Sequence, residues 1–132
     1  MKNLREELAK NPMNNASKFI GRLFEARDIA HKEHFKVTGT GSYAAHKALN
    51  EFYDGILDLA DGFVESYQGK YGIVNFDIKS VNIVDFMEYI VELVKYIEAS
   101  KEIFNKDGYL QNQVDEMVSL CYSTIYKLKF LK

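Results

Sequence analysis

The sequence is poor in the residues that define several classes of protein. A single cysteine, Cys121, excludes an intrachain disulfide and gives no sign of an oxidising compartment. One proline and eight glycines in 132 residues exclude collagen-like, proline-rich and Gly/Ser-linker architectures. The net charge is only −2, from 17 basic and 19 acidic residues, so a general electrostatic grip on nucleic acid is not expected.

Long apolar runs are missing as well. Charged and polar residues interrupt the N-terminal stretch, so we expect no signal peptide. The most apolar region, residues 83–97, contains four charged side chains, and no window approaches the ~20 apolar residues of a membrane span. We therefore expect a cytoplasmic chain with no membrane partner, folded as one domain over residues 1–132 with an N-terminal extension at 1–14.

Four segments show the apolar spacing of helices, and no strand-like alternation competes with them. The first helix is predicted at about 16–37, with Pro12 and the polar run 14–17 as its entry turn and cap, and the second at about 42–68. The third is predicted to open at Asn82, with Asp85 as its capping partner, and the fourth to follow a turn at 105–108. The connection at 69–81 is expected to pack against the helices. The pattern predicts an all-α, four-helix bundle.

All three histidines fall between residues 31 and 46. His31 and His34 share a face of the first helix with apolar residues. One stripe of the second helix carries polar residues at helical spacing: His46, Asn50, Asp61 and Glu65. Imidazole and carboxylate together suit iron, manganese or zinc, so the set is a candidate metal site. Taken singly, each residue is also explained as a packed imidazole or a solvated acid.

The spacing of these residues resembles the motif of the Dps group (DNA-binding protein from starved cells) of ferritin-like proteins. The matching residues are His34-Phe35-Lys36-Val37-Thr38-Gly39, then Tyr43-Ala44-Ala45-His46, then Asn50, Tyr53, Asp61 and Glu65. The second histidine follows the first by twelve residues, the aspartate follows by fifteen more, and the glutamate by a further four. The resemblance covers residues 31–65, about a quarter of the chain.

The resemblance implies a ferritin-like bundle that binds ferrous iron and oxidises it with hydrogen peroxide, for iron storage and protection against oxidation. The family builds its two-iron site between two subunits and assembles shells of twelve. A homo-oligomer, a two-fold dimer at least, is therefore implied. In the implied site, two imidazoles of one subunit face two carboxylates of its mate, and all four serve as metal ligands and catalytic residues: His34 and His46 with Asp61 and Glu65. His31 and Asn50 are implied as weak ligands or as residues that orient a ligand.

The chain departs from the family pattern at three places. The family's tryptophan is Phe35, and the acidic position four residues after His46 is Asn50, so the second iron is expected to bind weakly. The small helix that the family carries between its second and third helices is expected to be reduced or absent. No histidine follows residue 46, which argues against the Glu-x-x-His di-iron site of ordinary ferritins within one chain.

Two alternatives to iron oxidation remain open. One is a non-catalytic helical-bundle interaction protein whose site is degenerate or holds zinc or manganese for structure. The other is DNA binding, which some members of the family achieve with basic tails. Here the basic residues of the N-terminal stretch, Lys2, Arg5 and Lys10, are offset by Glu6 and Glu7, so DNA is not an expected partner.

Overall fold

The computed structural model describes residues 3–4 and 12–132. Within residues 12–132 the chain forms four α-helices and a short 3-10 helix, with no strand. The elements are α1 (Pro12–His34), α2 (Ser42–Tyr71), α3 (Phe86–Ser100), the 3-10 helix (Lys101–Phe104) and α4 (Gly108–Phe130). The prediction of an all-α chain with four helices is confirmed. No helix in the described part of the chain has both the length and the apolar character needed to cross a bilayer.

The first helix differs from its prediction at both ends. The polar run expected as a cap is already helical, and Ser17 Oγ donates to the carbonyl of Asn14 at 2.8 Å. At the other end the helix stops at His34, three residues early. Residues 12–14, which were assigned from the sequence to the N-terminal extension, are the first residues of α1. Residues 1–2 and 5–11 lie outside the described part of the chain, and they include the basic Lys2, Arg5 and Lys10.

A cluster of aromatic rings forms the centre of the core. Phe19 of α1, Phe63 of α2 and Phe104 of the 3-10 helix meet edge to face, with centroid distances of 4.9 to 5.4 Å. Each such pair contributes about 0.5–1.5 kcal/mol beyond the burial of its area. Around them lie fully buried aliphatic side chains from all four helices, which join the helices into one core.

Residues 72–85, which we call the strap, connect α2 to α3 without a helix. Gly72, with φ +95°, ends α2 while its N–H donates to the carbonyl of Gln68 at 2.9 Å. Phe76 stacks on Phe24 of α1 at 5.4 Å, with an interplanar angle of 10°. Val74 is buried, whereas Ile73 is exposed. The expected packing is thus confirmed for Val74 and Phe76, and the strap has no small helix.

The third helix begins at Phe86, four residues after its predicted opening at Asn82. The carboxylate of Asp85 caps it by accepting a hydrogen bond from the N–H of Met87 at 3.2 Å. Asn82 lies in the strap and caps nothing. Both residues have an oxygen suited to an N-cap, and the cap belongs to the one immediately before the first helical residue.

The buried side chain of Asp107 joins the end of α2 to the start of α4. Lys70 Nζ and Tyr71 Oη both donate to its carboxylate. These two hydrogen bonds hold the pKa of Asp107 below its usual range. The predicted turn is present at 105–107, and Gly108, which was expected to belong to it, is the first residue of α4.

Candidate metal centre

A seven-residue turn brings the end of α1 against the start of α2. Gly39 and Gly41 adopt φ values of +85° and +81°, a left-handed conformation that glycine takes with little steric cost. The chain reverses there, so that the imidazole rings of His34 and His46 stack at 4.4 Å with an interplanar angle of 26°.

Backbone carbonyls fix the orientation of both rings. His34 Nδ1 lies 2.6 Å from the carbonyl oxygen of His31, and His46 Nδ1 lies 2.8 Å from that of His34. Because a carbonyl can only accept, each Nδ1 carries the hydrogen and donates. In the neutral imidazoles, the lone pair is then on Nε2. Histidines that bind metals are typically held in this way, through the nitrogen that does not face the metal.

Tyr53 and Asn50 stand beside the two imidazoles. The Tyr53 hydroxyl donates to Asn50 Oδ1 and lies 3.5 Å from His34 Nε2. The Tyr53 ring stacks on His31 at 4.4 Å, and Asn50 Nδ2 donates to Asp54 Oδ2 at 3.1 Å. The amide oxygen of Asn50 is therefore already engaged, whereas His31 supports the tyrosine that neighbours His34.

Phe35 forms the outer side of the cluster. His34 is 6% exposed, whereas Phe35 is 74% exposed, and their rings lie 4.1 Å apart. The second aromatic neighbour of Phe35 is His31, at 5.5 Å. The ring of Phe35 thus contacts the imidazoles of His31 and His34 and is itself largely exposed to solvent.

The two carboxylates of the predicted site lie elsewhere on α2. Asp61 and Glu65 are both exposed. At 1.5 Å per helical residue, they lie about 22 Å and about 28 Å along the axis from His46. The structure brings together the two imidazoles with His31 and Asn50 and leaves both carboxylates apart. Accordingly, no group of three or more His, Cys, Asp or Glu side chains suited to one metal ion occurs among the described residues of a single chain.

Asp61 and Glu65 belong to a longer set of exposed acids along α2. We call it the acidic row: Glu51, Asp54, Asp58, Asp61 and Glu65. Spacings of three and four residues place all five on one face of the helix. Glu51 pairs with Lys127 Nζ at 2.6 Å, which lowers the pKa of Glu51. The other four have no ion pair within residues 12–132.

A second polar cluster was not predicted from the sequence. Glu25 of α1 is 6% exposed, and its Oε1 accepts a hydrogen bond from the Tyr89 hydroxyl of α3 at 3.1 Å. Arg22 Cζ lies 4.6 Å from the centre of the Tyr96 ring. Burial, with the charge of Glu25 as the next cause, raises the pKa of Tyr89. The available signal was an acid among the apolar residues of α1 and two tyrosines seven residues apart on α3.

These features describe, over residues 12–132, an all-helical fold with a pair of stacked imidazoles at the turn between α1 and α2. The chain belongs to a family of unknown function, DUF5856, whose model matches residues 34–128. It is 28% identical over 118 residues to an uncharacterized 14.6 kDa protein from the mobD–ri intergenic region of Enterobacteria phage T4. That match covers 86% of this chain and 87% of the phage protein. No solved structure matches the chain.

Proposed function

We propose that this protein is a ferritin-like, iron-binding protein of the Dps kind. It binds ferrous iron between two subunits and oxidises it with hydrogen peroxide, for iron storage and protection against oxidation. The observation that carries the proposal is the stacked pair His34 and His46, whose Nδ1 atoms are both engaged by backbone carbonyls. The Nδ1 contacts leave an Nε2 lone pair on each of the two stacked rings, and imidazole nitrogens of this kind suit a divalent transition metal.

The two imidazoles supply only two ligands, and the described residues of the same chain contain no larger group of metal ligands around them. In this proposal a second chain therefore supplies the carboxylate ligands. The sequence midpoints between His46 and the two carboxylates, Asp61 and Glu65, fall at residues 53–56. If a second α2 crosses antiparallel at that level, each His46 comes opposite the partner subunit's Asp61 and the partner subunit's Glu65. A closed two-fold dimer then contains two equivalent sites.

The acidic row gives this dimer a reason to require cations. Two antiparallel rows of five exposed acids would repel each other when brought into contact. Divalent ions at the two sites would offset part of this repulsion. We therefore expect divalent metal to strengthen the association of the chains, and chelation to weaken it.

The chemistry follows from the donor set. Neutral imidazoles of His34 and His46 supply nitrogen ligands, and the carboxylates of Asp61 and Glu65 balance the charge of ferrous iron, the substrate. One molecule of hydrogen peroxide accepts two electrons, one from each of two ferrous ions. Together with two protons, it is thereby reduced to two molecules of water. Asn50 is neutral and its oxygen is engaged by Tyr53, so the second ferrous ion binds more weakly than the first.

The test is oxidation of ferrous iron under anaerobic conditions after a pulse of hydrogen peroxide. We expect a fast rise of ferric absorbance that the double variant His34→Ala with Glu65→Ala abolishes. Asp58→Asn is the matched control, because it removes an exposed acid of the same row that has no assigned ligand role. An unchanged rise in the double variant would refute the proposal. The mass in solution separates a shell of twelve, about 182 kDa from chains of 15.2 kDa, from a dimer of about 30 kDa.

The neutral Asn50 favours a second candidate function, a helical interaction protein with a structural metal site. Such a protein would bind zinc or manganese at His34 and His46 without oxidising iron. Zinc or manganese would then raise the melting temperature, and peroxide would produce no fast ferric absorbance beyond that of free iron. That combination of results would select this candidate over the first.

A further inference from the structure

A cavity of about 670 Å³ lies between α1, the strap and α3. Its volume falls in the range of about 300–1,000 Å³ that is usual for small-molecule sites. Charged and aromatic side chains from all three segments line it, including Lys18, Arg22, Glu25, Lys79 and Tyr96. No role in the proposed iron chemistry falls to any of them.

Close contact of the strap with α1 shapes this cavity. The carbonyl oxygen of Asp77 approaches α1 so closely at Gly21 that a Cβ there would overlap it. A few residues further along, Phe76 of the strap stacks on Phe24 of α1. Backbone packing at Gly21 and the ring of Phe76 therefore set this wall of the cavity.

Cations at the cavity provide a receptor for an anionic group. Lys18 and Lys79 are exposed and have no ion pair within residues 12–132. Arg22 Nε is buried without a hydrogen-bond partner, and Glu25 Oε1 lies 3.6 Å from it. A buried donor without a partner calls for an explanation, and a ligand is one such explanation. The lining contains these three cations and two carboxylates, Glu25 and Asp77, so its net charge is +1.

Glu25 adds an acceptor to the same cavity. It is 6% exposed, and the Tyr89 hydroxyl occupies one face of Oε1. A carboxylate has about four acceptor positions, so this contact leaves capacity for N–H groups of a ligand. Phe76 and Val81 supply apolar wall. An anionic group, an N–H edge and a flat ring are together the chemistry of a nucleoside phosphate.

We propose that the cavity binds a nucleoside monophosphate, with its phosphate at Lys18 and Lys79 and the N–H edge of its base at Glu25, while Arg22 stays beside Glu25. Guanine is the base that fits best, because its neighbouring N1–H and N2–H groups match the two oxygens of a carboxylate. This site is independent of the proposed iron site, since the two share no residue.

The test is isothermal titration of the full chain with guanosine monophosphate, guanosine and inorganic phosphate. We expect the nucleotide to bind more tightly than either fragment. Lys18→Ala with Lys79→Ala should weaken the nucleotide by at least about tenfold and leave guanosine unchanged. Lys95→Ala with Lys106→Ala is the control, because it removes the same charge outside the cavity. Glu25→Gln should weaken the nucleotide and guanosine by the same factor.

Three results would overturn the proposal. The first is no heat of binding with guanosine monophosphate at about 1 mM, a concentration that detects even weak complexes. The second is equal weakening by the cavity and control lysine pairs. The third is inorganic phosphate binding as tightly as the nucleotide, which would make the cavity a simple anion site. If Glu25→Gln does not fold, the lysine pairs alone decide.

Discussion

The backbone carbonyl of His34 accepts a hydrogen bond from Nδ1 of His46 at 2.8 Å, so the last residue of α1 fixes a side chain of α2. The His34 imidazole is held by the same device one turn earlier, through the carbonyl of His31 at 2.6 Å. Neither ring can rotate without losing a hydrogen bond that is partly buried. Both Nε2 atoms are thereby fixed in the metal-free chain, which would lower the ordering cost of the proposed metal binding.

An acid at position 50 should strengthen the proposed metal site. Asn50→Asp places a carboxylate beside Tyr53 and next to the two imidazoles, and we expect about tenfold tighter binding of cobalt, a spectroscopic stand-in for ferrous iron. The metal-free variant should melt at a lower temperature, because the new carboxylate replaces an amide that donates to Asp54. Titration followed by visible absorbance measures the first effect and circular dichroism the second. Cobalt affinity equal to that of the unmodified chain would argue against a ligand role at this position.

The close approach of the strap to α1 should be sensitive to a single methyl group. Gly21→Ala places a Cβ against the Asp77 carbonyl, and we expect a loss of about 1–3 kcal/mol in the free energy of unfolding. Gly62→Ala is the matched control in α2, where a Cβ meets nothing within 4 Å. The control should gain about 0.5–1 kcal/mol from its better helix propensity. Urea unfolding measures both, and equal effects of the two substitutions would show that the strap does not pack on Gly21.

The buried carboxylate of Asp107 should make stability depend on pH on the acid side. Its pKa is lowered in the folded chain by hydrogen bonds from Lys70 and Tyr71. Its contribution is therefore present above the unfolded value of about 3.9 and is lost as the pH falls through the folded pKa. We expect Asp107→Asn to lower the melting temperature at pH 7 and to flatten its fall below about pH 4. A variant whose melting temperature falls below about pH 4 as steeply as that of the unmodified chain would contradict this.

The same contact with Asp107 predicts that the folded chain loses stability at alkaline pH. Hydrogen bonding to Asp107 raises the pKa of Lys70 and of Tyr71. Stability from these groups is present below their unfolded values, about 10.4 and about 10, and is lost as the pH rises through the folded values. Tyr71→Phe should reduce the loss of melting temperature between pH 9 and pH 11, while Tyr43→Phe, at an exposed tyrosine remote from Asp107 in the fold, should not. If the melting temperature falls equally between pH 9 and pH 11 in both variants, Tyr71 does not contribute to the alkaline loss of stability.

The one cysteine should be inert in the folded chain. Cys121 is fully buried in the core, and burial raises the pKa of its thiol to about 12. Burial blocks the access of reagents to the sulfur, and the raised pKa lowers the fraction of reactive thiolate. We expect a chromogenic disulfide reagent at pH 8 to react only after urea is added. Stoichiometric reaction within seconds in the absence of urea would contradict the packing of α4.

The sequence pattern was sufficient for the helices but not for all of their ends. Apolar spacing located four helices, and Ser42 is where α2 begins. The start of α1 was missed, because a polar run such as 14–17 has the composition of a cap even when it is helical. At α3 two capping residues three positions apart competed, and the contact of Asp85 with the Met87 N–H decided between them.

The sequence located the two histidines that the structure brings together, and the contribution of carboxylates from a second chain stays a prediction. Two glycines between His34 and His46 are a local signal, and local signals are readable from sequence. Asp61 is exposed, because the buried face of α2 carries its neighbours Ala60 and Phe63. A shift of one residue turns a helical position by about 100°, which is enough to move a carboxylate from core to solvent. The pair Glu25 and Tyr89 is 64 positions apart, and no local pattern encodes such a contact.

The most direct test of an iron site shared by two chains is complementation between two inactive variants. His34→Ala with His46→Ala removes the imidazoles, and Asp61→Ala with Glu65→Ala removes the carboxylates. Each variant alone should bind no cobalt. After equimolar mixing under conditions that exchange subunits, we expect about one quarter of the sites to return, because half of the dimers are mixed and each mixed dimer has one intact site of two. No recovery in verified mixed dimers, or full binding by either variant alone, would contradict a site built from both subunits.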